Sequence, residues 1–195
     1  MANMLIFGGS RGLGAALSWS VPTCGDALWL VSRSRSDLDD RDGVRRTWIE
    51  ADLATPGAAA AVAAAVQLKL RDVVIYNAGI WEHNAFCAAY DFLQVDDAET
   101  ERIIAVNLTS AITCIRALLP NLRKSAGAKL IFIGSTSGLD NSSGREVAYA
   151  ASKFGLRGAT HALRENLRRH RRHLHQSRQH RHDHGRARCR VRCST

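Results

Sequence analysis

Apolar residues fall in short, evenly spaced blocks along residues 4–167. The first, Met4-Leu5-Ile6-Phe7, stops at a glycine-rich turn, Gly8-Gly9-Ser10-Arg11-Gly12-Leu13-Gly14. Ala15-Ala16-Leu17 then opens a helical pattern that Pro22 ends. Ala27 to Ser32 reads as a second strand and Thr47 to Glu50 as a third. Pro56 to Leu70 is an alanine-rich helix, with Pro56 suited to its first turn. Asp72 to Tyr76 and Lys129 to Ile133 are continuous apolar runs, of the kind buried on both faces of a parallel sheet. Between them lies a long helical region, about Asp97 to Arg123, and a further helix covers Phe154 to Leu167. Strands alternating with helices predict an α/β fold: a Rossmann-type, doubly wound parallel sheet in three α/β/α layers, one domain over residues 1–167.

Composition agrees with a globular domain: 195 residues, 46% hydrophobic and 23% charged. Every apolar run is too short for a membrane span, and the N-terminus has no signal-peptide pattern. A cytoplasmic protein without a membrane partner is therefore expected. Cys24, Cys87, Cys114, Cys189 and Cys193 are scattered and odd in number, which fits reduced thiols. Charge redraws the boundaries. Residues 1–167 hold 17 basic and 17 acidic side chains, whereas residues 168–195 hold 10 Arg, six of the eight His and the single acid Asp183. The whole net charge of +9 sits in this tail.

The glycine turn follows a strand and opens a helix, the context in which backbone N–H groups and the helix dipole bind a pyrophosphate. Gly8 permits the tight turn, Gly12 lets the backbone approach the phosphates, and Gly14 lets the helix pack close to the strand. At the end of the second strand a carboxylate would bind the ribose 2′-hydroxyl of NAD(H). Arg33 stands there instead, with Arg11 in the turn and no carboxylate before Asp37, which favours NADP(H) over NAD(H). Asp52-Leu53 is placed to flank an adenine ring. Asn77-Ala78-Gly79, at the end of the fourth strand, lets the backbone run close to a ligand.

Candidate chemistry gathers at Tyr149-Ala150-Ala151-Ser152-Lys153. Residues four apart on a helix leave the same face one turn apart, so the Lys153 ammonium lies where it favours a phenolate at Tyr149. Ser135, delivered by Gly134-Ser135 at a strand's C-terminal end, offers a hydroxyl where open α/β sheets place their ligands. Asn107 is a polar residue within an apolar helical stretch, and read alone it is a solvent-facing or cap-like Asn. The tail's histidines, with Cys189 and Cys193, match no defined metal-site spacing, so no metal is expected.

Together these residues resemble the short-chain dehydrogenase/reductase family over roughly Met4 to His170. The resemblance implies a catalytic tetrad of Asn107, Ser135, Tyr149 and Lys153. Tyr149 would exchange the proton and Ser135 would polarise the carbonyl. Lys153 would bind the nicotinamide ribose and tune Tyr149, and Asn107 would hold a water in the relay. It also implies a cofactor site from Gly8, Ser10, Arg11, Gly12, Leu13, Gly14, Arg33, Asp52, Leu53, Asn77, Ala78 and Gly79, with Tyr149 and Lys153. A small carbonyl or alcohol substrate and a homo-oligomer follow by the same analogy. Three positions depart from the family pattern: Phe7 stands for Thr, Tyr76 for Asn, and Ser135 and Tyr149 are fourteen apart, one more than is commonest. The loop Asp140-Asn141-Ser142-Ser143-Gly144 has room for the extra residue.

The tail is the fourth departure. The family would add a strand and a Pro-Gly segment after Leu167, whereas this composition builds neither strand nor core and reads as disordered or frame-shifted. Read from the second base, codons for His173 to His182 permit Thr-Cys-Thr-Asn-Pro-Gly-Asn-Ile-Ala-Thr, which resembles the missing segment. The alternative is a catalytically impaired protein of this fold, or an Arg-rich tail that binds nucleic acid or an acidic surface through phosphate contacts.

Overall fold

The structure is a computed structural model that describes residues 1–35, 40, 42–67, 72–125, 127–140 and 144–189, with side chains to residue 168. Asp37, residues 68–70 of the expected second helix, residues 141–143 of the loop before Tyr149, Cys193 and the side chains of the basic tail lie outside it. Two compact units are distinguished, Met1–Arg157 and Gly158–Thr195.

In the first unit, five parallel strands, β1 (Asn3–Phe7), β2 (Ala27–Ser32), β3 (Arg45–Glu50), β4 (Val73–Tyr76) and β5 (Lys129–Phe132), form a sheet of order β3-β2-β1-β4-β5. The order reverses at β1, which pairs Phe7 with Val31 on one side and with Tyr76 on the other. Helices α1 (Gly12–Ser20), α2 (Ala58–Val66), α3 (Asp97–Ile104), α4 (Ser110–Leu122) and the first turns of α5 (Val147–Cys189) flank the sheet, the doubly wound arrangement expected from the alternation. Successive residues of β1 and β2 are buried on both faces: Met4, Ile6, Leu28 and Leu30 join Val44 and Ile75 in one cluster, while Leu5, Phe7 and Val31 are buried on the other side.

Element edges moved for physical reasons. α1 begins at Gly12, inside the glycine turn, so its first N–H groups belong to the turn. The long helical region is α3 and α4 joined by a π-helical segment, Ala105–Thr109, that carries Asn107. β5 was expected to be buried on both faces, yet Lys129 and Ile131 are exposed, Ile131 at 41%. It is the sheet's edge, and no strand covers its outer side among the described residues. α5 starts at Val147, so the Tyr149–Lys153 turn, expected on a helix face, and the helix expected over Phe154 to Leu167 are one element. The α5 backbone stays helical to Cys189, through the stretch whose composition suggests a disordered or frame-shifted tail.

The continuous helical stretch Asp97–Leu122 reaches the length of a membrane span, with a mean hydropathy of 1.6, whereas the sequence reading found no such run. Ile103, Val106, Ala111, Cys114, Ile115, Leu118 and Leu122 are all buried in the fold, as in a core helix. Burial pushes the Cys114 thiol up to about 12, so it is inert as a nucleophile. Cys24 and Cys87 are free and exposed.

Candidate active site

The site lies at the C-terminal ends of β1, β2 and β4, where the strand order reverses. A cleft of about 460 Å³ opens there. Its walls include Gly8, Ser10, Arg11, Gly12, Leu13, Arg33, Asp52, Leu53, Asn77, Ala78 and Gly79, eleven of the residues that the sequence put at a cofactor. Gly14 is not on the wall, and its role is packing: a Cβ there would stand 1.9 Å from the Gly8 carbonyl oxygen and 2.7 Å from Asn77 Nδ2. Gly8 has φ +77, and a Cβ would come within 2.8 Å of the Ala78 backbone. Asn77 ties these parts together, its Nδ2 donating to the Gly8 carbonyl at 3.0 Å.

The turn fits an anionic cofactor. No side chain caps α1, no acidic residue occupies its first turn, and nothing lies within 4 Å of a Cβ built at Gly12. Unpaired N–H groups beside open space are what a pyrophosphate requires. Arg11 and Arg33 stand on the same wall, joined by Arg102, which the sequence did not single out. Arg102 pairs with Asp52 at 3.0 Å. The Ala54 N–H, followed by the Arg102 guanidinium, holds the Asp52 carboxyl below its usual range.

At the other end of the cleft, Gly79 connects cofactor wall and candidate tetrad. A Cβ on Gly79 would lie 3.5 Å from Lys153 Nζ and 3.7 Å from Asn107 Oδ1. None of the four tetrad residues is on the cleft wall itself; Lys153 and Asn107 adjoin its end through Gly79 and Tyr149 through Trp81, whereas Ser135 touches neither of those two residues. Asn107 is wholly buried, which corrects the solvent-facing reading. Its Oδ1 accepts from the Ile80 N–H and its Nδ2 donates to the Ile80 carbonyl, both at 2.8 Å. Nδ2 also donates to Ser152 Oγ at 2.9 Å, and that hydroxyl donates to the Tyr149 carbonyl at 2.6 Å. Ser152 thus links α5 to the π-helical segment, and the sequence had named it only as a neighbour of Tyr149.

Lys153 is buried, with Nζ donating to the Ile133 carbonyl at 3.2 Å and standing 5.6 Å from the centre of the Tyr149 ring. Burial pulls its ammonium below the ordinary lysine pKa of 10.5. Ser135 follows β5 and begins a short 3-10 turn, Thr136–Gly138, its Oγ accepting from the Ser137 N–H at 3.1 Å. That turn rests on α5, since a Cβ at Gly138 would meet the Lys153 backbone at 2.9 Å.

Glu82, 1% exposed, had no signal in the sequence. Its Oε1 accepts from the N–H groups of Ala148 at 2.9 Å and Tyr149 at 3.1 Å, which caps the start of α5 from a segment 66 residues upstream. The two sequence departures in the sheet prove to be partners. Phe7 and Tyr76 are register neighbours, both fully buried, with ring centres 5.0 Å apart. The Tyr76 hydroxyl donates to the Val106 carbonyl at 2.7 Å and contacts Ser110 Oγ, which anchors the sheet to the π-helical segment. Burial drives the Tyr76 phenol well above its usual pKa, so it is a structural hydroxyl.

Comparison with known proteins agrees with this geometry. The chain is 30% identical over 174 residues to the rhamnolipids biosynthesis 3-oxoacyl-(acyl-carrier-protein) reductase of Pseudomonas aeruginosa, spanning 84% of this chain and 66% of the relative. A metagenomic short-chain oxidoreductase in complex with NADP superposes with a TM-score of 0.72 at 29% identity, over 87% of this chain and 77% of that one. The short-chain dehydrogenase of Sphingobium yanoikuyae in complex with NADPH gives 0.74 at 27%, over 86% and 66%. The chain spans about two thirds of the length of the curated relatives it matches. A family model described as short chain dehydrogenase matches residues 2–173, and with the reversed strand order, the glycine turn and the Tyr149–Lys153 turn in one unit, the chain belongs to the short chain dehydrogenase family.

Proposed function

We propose that the protein is an oxidoreductase that interconverts a carbonyl and an alcohol, with NADP(H) as hydride carrier and Tyr149 as proton donor and acceptor. The observation that carries this reading is the continuity of the cleft. It runs from the uncapped start of α1 to Trp81, and the Trp81 ring meets the Tyr149 ring edge-on at 6.4 Å. NADP-bound relatives support the cofactor class, and Arg11 and Arg33 on the wall support a 2′-phosphate.

When bound, the cofactor supplies or accepts the hydride. The chain's own residues do the rest. Backbone N–H groups at Gly12 and Leu13 hold the phosphates, and Asp52 and Leu53 border the adenine. Tyr149 hands a proton to the substrate oxygen during reduction and takes it back during oxidation. Lys153 sets a cation beside the ring, the charge that a phenolate needs. Ser135 offers a hydroxyl to the same oxygen. Asn107, bonded to Ile80 and Ser152, keeps the end of the cleft and the start of α5 in one frame. A cytoplasmic setting keeps Cys24 and Cys87 reduced, and the exposed Ile112 on α4 supports association through the long helices.

Tyr149→Phe tests the reading. NADPH binding, followed by cofactor fluorescence, is expected to persist and to exceed NADH binding, while ketone reduction falls by about 100-fold or more. Retained turnover, or no NADPH binding in the unsubstituted protein, would overturn it.

A further inference from the structure

Two aromatic rings meet the candidate proton donor edge-on and also touch each other. Trp81 meets Tyr149 at 6.4 Å and 89°, Phe86 meets Tyr149 at 5.5 Å and 89°, and Trp81 meets Phe86 at 5.8 Å and 66°. Trp81 and Phe86 are not core residues: Trp81 is 53% exposed and Phe86 58%. Phe86 also holds a left-handed backbone, φ +63, which a side chain of its size seldom adopts without compensation.

The compensation is visible. Glu146, 4% exposed, accepts from the Phe86 N–H at 2.8 Å. Burial opposes its charge, but that hydrogen bond and those from its own backbone and Arg145 outweigh it and hold the carboxyl below its usual range. Four further hydrogen bonds fasten the same segment to the start of α5. Glu82 caps Ala148 and Tyr149, the Val147 N–H donates to the Tyr90 hydroxyl at 3.1 Å, and Arg145 donates to the Cys87 carbonyl at 3.0 Å. Two nearly inaccessible carboxylates thus hold two exposed rings against one phenol. Ordinary packing would bury the rings themselves.

We propose that Trp81 and Phe86 form the substrate-selecting wall of the site and that Glu146 is its positioning residue, so that the preferred substrate is a neutral ketone or alcohol bearing a flat ring beside the reacting carbon. This rests on the carbonyl–alcohol reading of Tyr149. Rings at right angles present both faces and edges, which pair with a third ring through their quadrupoles and give a flexible alkyl chain no such match. A cationic ligand is disfavoured, because Lys153 Nζ already stands 5.6 Å from the centre of the Tyr149 ring.

The test compares 2-acetonaphthone with 2-dodecanone, an acyclic methyl ketone with as many carbons. Binding to the full chain is measured by ligand-detected NMR, with and without saturating NADPH. The aryl ketone is expected to bind about ten-fold more tightly, and Trp81→Ala or Phe86→Leu to erase that preference. Equal binding of the two ketones, or a preference that survives both substitutions, overturns the proposal. Glu146→Ala is expected to erase the preference and Glu146→Gln, whose amide oxygen still accepts from Phe86, to restore it. If the glutamine variant behaves as the alanine variant does, the positioning role is wrong. Failure of the underlying reading looks different: NADPH does not bind, or Tyr149→Phe retains turnover, while ring preference measured without cofactor still reports on the wall.

Discussion

Lys153 carries its ammonium to a position where 5% of the residue is exposed, with the Ile133 carbonyl as hydrogen-bond partner. Burial lowers its pKa below 10.5. Below the lowered value the cost of the buried charge is fully present. As pH rises from there to 10.5 the unfolded chain binds more protons than the folded one, so folding gains stability. The melting temperature of Lys153→Met, relative to the unsubstituted protein, is therefore expected to fall between pH 8 and pH 10, and ketone reduction to drop by about 100-fold or more at pH 7. A flat or rising difference in thermal scans would contradict the cause assigned here. At this scale the sequence was informative about identity and silent about environment. Spacing alone put Tyr149 and Lys153 on one helix face, yet nothing in it marked Phe7 and Tyr76 as packing partners, because that contact joins residues 69 positions apart. Asn107 read as a surface residue for the same reason: its partners Ile80 and Ser152 are distant in sequence.

Among the elements, α5 is positioned by a carboxylate that it does not contain. Glu82 accepts two N–H groups of its first turn and sets negative charge at the positive end of the helix. Glu82→Ala should cost roughly 1–2 kcal/mol in denaturant unfolding and lower kcat more than it weakens NADPH binding. Glu82→Gln, which keeps one acceptor, should recover most of the stability. Equal losses from both substitutions would show that the acceptor is not what matters. Strand and helix cores were legible from apolar runs, and β2 matched to the residue. Their ends were not. α1 starts three residues earlier than its apolar pattern because glycines 12 and 14 can enter a helix that must lie against β1. The π-helical segment had no periodic signature, since one inserted residue leaves the apolar stripe nearly unchanged.

For the whole molecule, the balance of charge and the open edge of the sheet have one explanation. β5 leaves Lys129 and Ile131 exposed, with no strand beyond it among the described residues. All the net charge lies in residues 168–195. We read this tail as frame-shifted, and an unpaired apolar edge invites association. A protein with the second reading frame restored from codon 168 is expected to reduce ketones with NADPH at least about ten-fold faster than this chain and to scatter less light at equal concentration. Comparable turnover by the two, or a gene whose second frame does not encode Asn-Pro-Gly there, would refute it.

The alternation of strands and helices, the glycine turn and the placing of Tyr149 and Lys153 on one helix face followed from local chemistry: glycine where the backbone must bend or open, apolar runs where both faces are covered, four-residue spacing on a helix. Which groups surround that pair was decided only in three dimensions. Glu82 and the Trp81–Phe86 rings reach it through hydrogen bonds and ring contacts across long sequence separations, Glu146 and Ser152 beside it bond to the distant Phe86 and Asn107, and periodicity carries no record of such contacts.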